Sequence, residues 1–394
     1  MSTNNISVWF FTLGLLCASL TLTSQNDTIP FLYRGHLYFN ATLNDTVSLD
    51  IVYDTGGSNL FGVDSVWLAH SDWTPKHLGT ARAGGGAGSM LVPIILDSMK
   101  VNIGSIQEHY AMVPVFKLRD VVGCHIDGIS GIKGIADYPL EINFEHNLMI
   151  KHNNGQPSTE GYQQIPIRYK NSRILLQVET KIGGTLVKGW YLMDTGSGGS
   201  ITFTSQAASQ FQFDTISGKR YISDVIQDGL GDNTEEYTIT LMPDFIVIGG
   251  DTITGRSINY KPEGVGAFGN KEYLGVIGNA IWSKYNIIID VENEMLYLRR
   301  FKEFIPPVPT YDYNFRNRTD ICKGWLVSSL TREGDAANAG MALGDTIISI
   351  NGRNVTDYSW EEEWDIDTIP TQVLDIIGTD GQEKHITLEA KLQW

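Results

Sequence analysis

The chain repeats one short acidic motif, each time directly after apolar residues. The first copy reads Ile51-Val52-Tyr53-Asp54-Thr55-Gly56-Gly57-Ser58, and the second reads Tyr191-Leu192-Met193-Asp194-Thr195-Gly196-Ser197. A carboxylate that follows three apolar residues is costly to bury unless it is paired or used. The glycine behind it permits a sharp turn and the close approach of a partner loop. We therefore expect the two acids to meet at the ends of two buried strands.

A second pair of matched segments indicates an internal duplication. Gly131 precedes residues 138–147 at the same spacing at which Gly278 precedes residues 285–294. The distance from Gly131 to Gly278 is close to the distance between the two acidic motifs. Because both ends of the repeat align, the sequence predicts two similar halves, and the second half is slightly longer.

The composition favours a β-rich protein and argues against nucleic-acid binding. The 394 residues carry a formal net charge of −16, whereas nucleic-acid-binding proteins need clustered Lys and Arg. The 41 glycines and the scarcity of helical periodicity favour strands and loops. A chain of this length has room for two or three domains.

The first residues have the pattern of an export signal. Residues 8–22 are almost uncharged and mostly apolar, and Ala18 and Ser19 lie near a possible cleavage point. We predict a signal peptide over residues 1–24 and an exported protein, periplasmic or extracellular. The segment lacks a Lys or Arg before its apolar run, so an uncleaved membrane anchor is the alternative. A lipid anchor at Cys17 is disfavoured by the large Leu16.

Without the leader, Cys124 and Cys322 remain, and the sequence allows either one disulfide or two free thiols. The Cys and His residues do not have zinc-site spacing, so we expect neither a metal nor a cofactor.

The strand and turn patterns divide the chain into five parts after the leader. We predict a first lobe over 31–152, a linker over 153–170, a second lobe over 171–303, a Pro-rich linker over 304–319 and a C-terminal domain over 320–394. Within the lobes, we expect strands at 37–43 and 47–53 and at 174–180, with turns at Asn44-Asp45 and Gly183-Gly184. Short helices are expected near 65–70 and 205–211, the latter capped by Thr204 or Ser205.

These motifs resemble those of the aspartic proteases, over roughly residues 31–303. Asp54-Thr55-Gly56-Gly57-Ser58-Asn59-Leu60 is close to the pepsin-like signature, with Gly57 where Ser is usual. Leu274-Gly275-Val276-Ile277-Gly278 is similar to the apolar-apolar-Gly element behind the catalytic loop, whereas the first half has Ser130 at an apolar position. The short halves look like retropepsin subunits in tandem. The resemblance implies a mainly β fold of two retropepsin-like barrel lobes.

The two acids suggest a mechanism without a covalent intermediate. Two carboxylates that meet cannot both ionise freely, so they share a proton and their apparent pKa values separate. The ionised acid takes a proton from water, and the neutral acid donates to the scissile carbonyl. The catalytic residues would be Asp54 and Asp194. The resemblance implies supporting roles for five neighbours, which are Thr55, Gly56, Thr195, Gly196 and Ser197.

The family covers its substrate with a flap, and two glycine-rich stretches are candidates for it. They are Ala83-Gly84-Gly85-Gly86-Ala87-Gly88 in the first half and Asp228-Gly229-Leu230-Gly231-Asp232-Asn233 in the second. Glycine-rich hairpin tips move and approach a peptide backbone closely. The predicted flap glycines are therefore Gly84, Gly85, Gly86, Gly229 and Gly231.

The C-terminal part resembles a PDZ domain of the type attached to exported bacterial proteases. The stretch Gly340-Met341-Ala342-Leu343-Gly344-Asp345-Thr346-Ile347, followed by Ile350-Asn351-Gly352, carries this resemblance. Gly324, Trp325, Leu326 and Val327 lie where such domains hold a peptide carboxylate. The resemblance implies capture of an extended or C-terminal peptide as an added strand.

We therefore expect an exported aspartic endopeptidase that acts on peptides or proteins, with a PDZ domain that recognises peptide or substrate. The alternative is an inactive protein of the same fold that binds peptides. Gly57, Ser130 and the absence of a tyrosine from the first flap candidate allow this alternative.

Overall fold

The computed structural model describes residues 26–57, 59–131, 133, 135, 137–153, 155–232 and 235–393. The predicted leader, residues 1–24, lies outside these ranges. Within them, no helix is both long enough and apolar enough to span a bilayer.

The fold is mainly β, as the sequence predicts, and it has two lobes followed by a C-terminal module. The first lobe contains short helices α1 (Ser65–His70) and α2 (Arg119–Val122). Its strands are β1 (Asp27–Pro30), β2 (Leu32–Arg34), β3 (His36–Leu43), β4 (Val47–Tyr53), β5 (Phe61–Asp64), β6 (Leu78–Gly85), β7 (Gly88–Ile95), β8 (Met99–Ile103), β9 (Ile106–Tyr110), β10 (Val113–Phe116), β11 (Gly128–Ser130), β12 (Leu140–Asn143) and β13 (Leu148–Lys151).

The second lobe contains helices α3 (Ser205–Gln210) and α4 (Asn279–Trp282) and 3₁₀ turns at Phe213–Thr215 and Gly266–Gly269. Its strands are β14 (Gln163–Lys170), β15 (Arg173–Ile182), β16 (Thr185–Met193), β17 (Ile201–Phe203), β18 (Arg220–Ile226), β19 (Glu235–Leu241), β20 (Phe245–Ile248), β21 (Asp251–Ile253), β22 (Ile258–Tyr260), β23 (Gly275–Ile277), β24 (Tyr285–Asp290) and β25 (Met295–Arg300).

The C-terminal module has its own buried core around Trp325, Ile347 and Leu374. It contains helices α5 (Asp335–Asn338) and α6 (Trp360–Trp364) and 3₁₀ turns at Val355–Asp357 and Ile366–Thr368. Its strands are β26 (Tyr313–Asn317), β27 (Trp325–Thr331), β28 (Thr346–Ile350), β29 (Arg353–Asn354), β30 (Thr371–Ile377) and β31 (Glu383–Glu389).

The two lobes have the same order of strand pairing. In the first lobe, β11 lies parallel to β4 and antiparallel to β5, and β10 lies parallel to β5. In the second lobe, β23 lies parallel to β16 and antiparallel to β17, and β22 lies parallel to β17. In each lobe a strand that ends in the acidic motif is therefore flanked by a parallel strand from later in the same half.

Local sequence explains the turns and caps that lead to these strands. Asn44 and Asp45 adopt positive φ angles of 49° and 62°, and Gly183 does so at the matching turn of the second lobe. Helix α3 begins where predicted, because the Thr204 side chain accepts a hydrogen bond from the Ala207 N–H. Asp64 caps α1 in the same way. These predicted turns and helices are confirmed.

One antiparallel sheet joins the two lobes. Its strand order is β1-β13-β12-β24-β25-β14, so a hairpin from each lobe lies at its centre. At the junction, Leu140 pairs with Ile289 and Ile142 pairs with Ile287. All four side chains are buried, so the lobes share one apolar layer.

Both predicted linkers are shorter than the sequence indicated. Strand β14 lies inside the predicted linker 153–170, because it completes the shared sheet by pairing with β25. Strand β26 lies inside the predicted linker 304–319, because it pairs along β27 and belongs to the C-terminal module. The first lobe also begins earlier than residue 31, since β1 starts at Asp27.

The C-terminal module is joined to both lobes. Strand β18 of the second lobe pairs antiparallel with β27, so that Asp224 lies opposite Leu330. The guanidinium of Arg316 donates to the carbonyl oxygens of Asp120 in the first lobe and Gln227 in the second, at 2.7 and 2.8 Å. The module therefore pairs by a β-strand with the second lobe and contacts both lobes through the partly buried hydrogen bonds of Arg316.

Replacing Ile287 by Ala should test the energetic importance of the shared sheet. The side chain is fully buried at the centre of that sheet, and removing it should lower the free energy of unfolding by about 2–5 kcal/mol. Chemical denaturation followed by circular dichroism measures the change. Val373, 45% exposed on β30, provides the control, and its Ala variant should stay within about 0.5 kcal/mol of wild type. Equal midpoints for the two variants would contradict a stabilising role for this layer.

Candidate active site

Each acidic motif begins where a buried strand ends. The Asp54 N–H donates to the Ser130 carbonyl at 2.8 Å, and the Asp194 N–H donates to the Ile277 carbonyl at 3.0 Å. These bonds continue the parallel pairings of β4 with β11 and of β16 with β23. Ser130, the polar departure noted in the sequence, is buried at the end of β11. Its backbone supports the Asp54 loop (residues 54–57) as Ile277 supports the Asp194 loop (residues 194–200).

Reciprocal hydrogen bonds between two threonines join the two loops. The Thr55 N–H donates to Thr195 Oγ1 at 3.0 Å, and the Thr195 N–H donates to Thr55 Oγ1 at 2.9 Å. Each hydroxyl also donates across the junction, from Thr55 to the Met193 carbonyl and from Thr195 to the Tyr53 carbonyl. Both threonines are fully buried. The four bonds therefore fix the position of one loop against the other without water.

This arrangement places the two carboxyl groups side by side. The Gly56 N–H donates to Asp54 Oδ1 and the Gly196 N–H to Asp194 Oδ1, both at 2.8 Å. Each carboxyl also lies over the glycine of the opposite loop: a Cβ on Gly56 would come within 2.6 Å of Asp194 Cγ. A Cβ on Gly196 would likewise collide with Asp54. Only glycine permits this approach.

Burial raises the pKa values of both acids, and repulsion from Asp54 adds to the rise at Asp194. Removal from water raises the pKa of Asp54 above its ordinary value, and hydrogen bonds from Asp194 and from Gly56, Gly57 and Gly196 oppose the rise. Burial raises the pKa of Asp194 well above its ordinary value, and the charge on Asp54 adds to the effect. The two carboxyl groups lie within hydrogen-bonding reach of each other, so the ionisation of one opposes the ionisation of the other.

The two predicted flap regions meet at their tips. We call residues 85–88, between β6 and β7, the first tip, and residues 227–232, after β18, the second tip. The Ala87 N–H donates to the Leu230 carbonyl at 2.9 Å. Gly85 and Gly86 lie against this second tip, and side chains at Gly229 and Gly231 would collide with the first. Gly84 differs from the other four glycines, because the space around it is open.

Lys261 holds the second tip and was not predicted from the sequence. Its side chain is almost fully buried, and its Nζ lies 3.1 Å from the Asp228 carboxylate and contacts Glu236. The ammonium also lies 4.3 Å from the centre of the Phe268 ring. A single lysine in a loop has no recognisable sequence pattern, because its partners come from other parts of the chain.

The predicted peptide-binding role of Gly324, Trp325, Leu326 and Val327 is wrong. Strand β27 is central at Trp325 and Leu326, since both residues pair with β26 on one side and with β28 on the other. The Val327 N–H donates to the Asp345 carbonyl, and a side chain at Gly324 would collide with Thr346. The side chains of Trp325 and Val327 are fully buried in the module. These residues therefore leave no free strand edge for a peptide.

Cys124 and Cys322 are free thiols in this structure. Cys124 Sγ lies 3.7 Å from Thr319 Oγ1, and the Cys322 thiol donates to the Arg318 carbonyl. Among the described residues, no group of three or more His, Cys, Asp or Glu side chains has the arrangement of a metal site.

No protein-family model matches the sequence. None of the curated proteins matches it either. Among solved structures, the aspartic proteinase from Irpex lacteus is similar over 70% of this chain and 97% of its own, with 14% sequence identity and a TM-score of 0.42.

Replacing Thr195 by Val should show how strongly the threonine bonds hold the two loops. Valine keeps the shape but leaves the Thr55 N–H and the Tyr53 carbonyl unpaired and buried, at a cost of about 1–3 kcal/mol for each group. The free energy of unfolding, measured by denaturant titration, should fall accordingly. The Thr195→Ser variant keeps the hydroxyl and should lose less than about 1 kcal/mol. Similar losses in the two variants would mean that the hydrogen bonds of the hydroxyl contribute no more to stability than the methyl group does.

The carboxyl pair predicts a distinct pH dependence of stability. A carboxyl whose pKa is higher in the folded than in the unfolded state destabilises the fold as the pH rises through that interval. The Asp194→Asn variant removes this effect, so its stability relative to wild type should increase as the pH rises above about 4. Thermal melting of both proteins across this range measures the difference. The control is Asp50→Asn on exposed β4 surface. A difference for Asp194→Asn that is independent of pH would contradict the raised pKa.

Proposed function

We propose that the protein is an aspartic-type endopeptidase that hydrolyses peptide bonds in peptides or unfolded proteins. The observation that carries the proposal is the side-by-side placement of the carboxyl groups of Asp54 and Asp194, on two loops tied together by Thr55 and Thr195. In this proposal the two carboxyl groups share one proton. Asp54 and Asp194 are each only partly buried as residues, so they lie at the edge of the protein interior within reach of solvent. This combination of proximity, desolvation and access suits general acid–base chemistry.

The proposed reaction uses the two carboxyl groups in different protonation states. The ionised group removes a proton from a water molecule as its oxygen attacks the carbonyl carbon of the peptide bond. The protonated group donates to the carbonyl oxygen, and a tetrahedral intermediate forms. Proton transfer to the amide nitrogen then breaks the C–N bond and releases an amine and a carboxylic acid. The N–H donors of Gly56 and Gly196 stabilise the ionised form in either half.

The two tips give the proposed site its gate. They touch through Ala87 and Leu230, and the glycines on both sides let the backbones approach closely. We propose that the tips separate to admit an extended substrate and close over it, because hairpin tips rich in glycine move readily.

We propose that the C-terminal module is PDZ-like, with β26, β27, β28, β30 and β31 as its sheet. Its outer edge at β26 is the candidate position for a recognised peptide. Among the described residues, the first lobe makes a backbone–backbone hydrogen bond along that edge only at the last residue of this strand, where the Cys124 N–H donates to the Asn317 carbonyl at 2.9 Å. We also propose that the protein is exported, on the basis of residues 1–24.

The second candidate function is peptide binding without hydrolysis. Two observations favour it. The tips are bonded to each other, which closes the proposed gate, and Gly57 lacks the side chain that usually follows the motif. A protein of this kind would keep the two-lobed fold and contact peptides through the lobes or the C-terminal module.

Replacing Asp54 or Asp194 by Asn should abolish cleavage of unfolded casein. Asn keeps the volume and removes the shared proton, so both variants should stay folded and lose at least about a thousandfold in kcat/KM. Fragment release is measured over about pH 3 to 8, with and without a statine-type inhibitor. The Asp50→Asn variant is the control, because Asp50 is an exposed carboxylate on β4, the strand that precedes Asp54.

The two candidate functions give opposite results in this assay. Inhibitor-sensitive fragments from the wild-type protein, absent from both Asn variants, support hydrolysis by the pair. If wild-type protein produces no such fragments at any pH but still binds casein, peptide binding is favoured. Normal turnover by either Asn variant would refute the catalytic role of the carboxyl pair.

A further inference from the structure

Asn279 holds the Asp194 loop from behind. It is the first residue of α4 and is fully buried. Its Nδ2 donates to the Thr195 carbonyl at 2.7 Å and to the Gly35 carbonyl at 2.8 Å. Its backbone N–H donates to the Ser197 carbonyl at 2.8 Å. One side chain therefore ties the Asp194 loop to the turn between β2 and β3 in the other lobe.

Burying the Asn279 side chain costs free energy, which indicates that its Nδ2 hydrogen bonds help to hold the Asp194 loop. Its Oδ1 is buried and accepts no hydrogen bond from the described residues. A buried amide oxygen without a partner costs free energy. An apolar residue avoids this cost, and the first half has Ile132 at the matched position after Gly131. The two hydrogen bonds that Nδ2 donates, to the Thr195 and Gly35 carbonyls, therefore explain why the second half has a polar residue here.

The C-terminal module covers the far end of this connection. The ring of Trp364, the last residue of α6, lies directly against Gly35: a Cβ there would be 3.0 Å from Trp364 Cη2. The same ring meets Tyr33 edge to face, with centroids 6.4 Å apart. The Tyr33 hydroxyl donates to the Asn279 carbonyl at 3.3 Å. Trp364 thus contacts both Tyr33 and Gly35, the two residues of this first-lobe segment that hydrogen-bond to Asn279.

The position of Trp364 explains how the module affects the loop. The ring is half exposed, so one side faces solvent while the other packs on the turn that carries the Gly35 carbonyl. A hydrogen bond shielded from water is stronger than one that water can replace. The second tryptophan of α6, Trp360, packs elsewhere, on Tyr38 and His125. The two tryptophans therefore have separate contacts on the first lobe.

We propose that Asn279 is a positioning residue for Asp194, and that Trp364 makes the C-terminal module part of the same support. The inference rests on the proposed hydrolysis, because a shift of Asp194 changes turnover only if the carboxyl pair reacts. The module then stabilises the position of the Asp194 loop through the contacts of Trp364 with Gly35 and of Gly35 with Asn279.

The test compares four variants of the full-length protein, Asn279→Ala, Trp364→Ala, the double variant and Trp364→Phe. Loss of the Nδ2 bonds should lower kcat on casein about tenfold and leave KM within about twofold. Trp364→Ala should lower kcat about three- to fivefold, and Trp364→Phe, which keeps a ring over Gly35, should recover most of it. The control is Glu361→Gln on the same helix, since Glu361 is 81% exposed and pairs only weakly with Arg34.

Two readouts separate positioning from general destabilisation. If the loop is held less firmly, the carboxyl groups couple less, their apparent pKa values converge, and the pH profile of kcat narrows in Asn279→Ala. If Trp364 acts on the Asp194 loop through Asn279, the double variant should be no slower than Asn279→Ala. A double loss equal to the product of the single losses would overturn the connection.

Hydrogen exchange of residues 194–200 tests the support independently of catalysis. Asn279→Ala and Trp364→Ala should both speed exchange in this loop, and Glu361→Gln should not. If wild-type protein fails to cleave casein, the proposed function fails while this measurement still decides the inference. Unchanged exchange in Trp364→Ala would refute the role of the C-terminal module.

Discussion

The reciprocal bonds between Thr55 and Thr195 hold the two halves together at the point where their acids repel each other. Two carboxyl groups partly removed from water resist ionisation, and bringing them together raises that resistance. The threonine bonds are buried and therefore keep their strength. Gly56 and Gly196 remove the side chains that would prevent the approach. The close approach of the two carboxyl groups thus depends on four buried hydrogen bonds.

Those bonds in turn require the two lobes to meet in one geometry. The shared sheet supplies it, since Leu140 and Ile142 of one hairpin pair with Ile289 and Ile287 of the other. The parallel strands β11 and β23 then support the two acidic loops from the same side. The similar strand arrangement of the two lobes therefore places Asp54 and Asp194 next to each other.

The symmetry is broken outside the carboxyl pair. Strand β18 of the second lobe continues into the sheet of the C-terminal module, whereas β6, the matching strand of the first lobe, pairs only with β7 among the described residues. Asn279 ties the Asp194 loop across the lobes, and Trp364 packs on the segment it binds. The strand before the second tip is therefore stabilised by pairing with the module, whereas the strand before the first tip is stabilised only by its own hairpin among the described residues. This difference gives each acid its own surroundings.

The sequence alone determined the mainly β fold, the duplicated acidic motif, and the turns and caps, because these depend on residue type and on spacing within short segments. Asn44 and Asp45 favour a left-handed turn, and Thr204 caps a helix wherever that segment lies. Tertiary structure decided the rest. The length of the linkers, the burial of Trp325, the meeting of the tips and the roles of Lys261, Asn279 and Trp364 all depend on partners far away in the chain. No local pattern marks such residues, since the strand edge, the carbonyl oxygen or the ring that they contact comes from another half or another module.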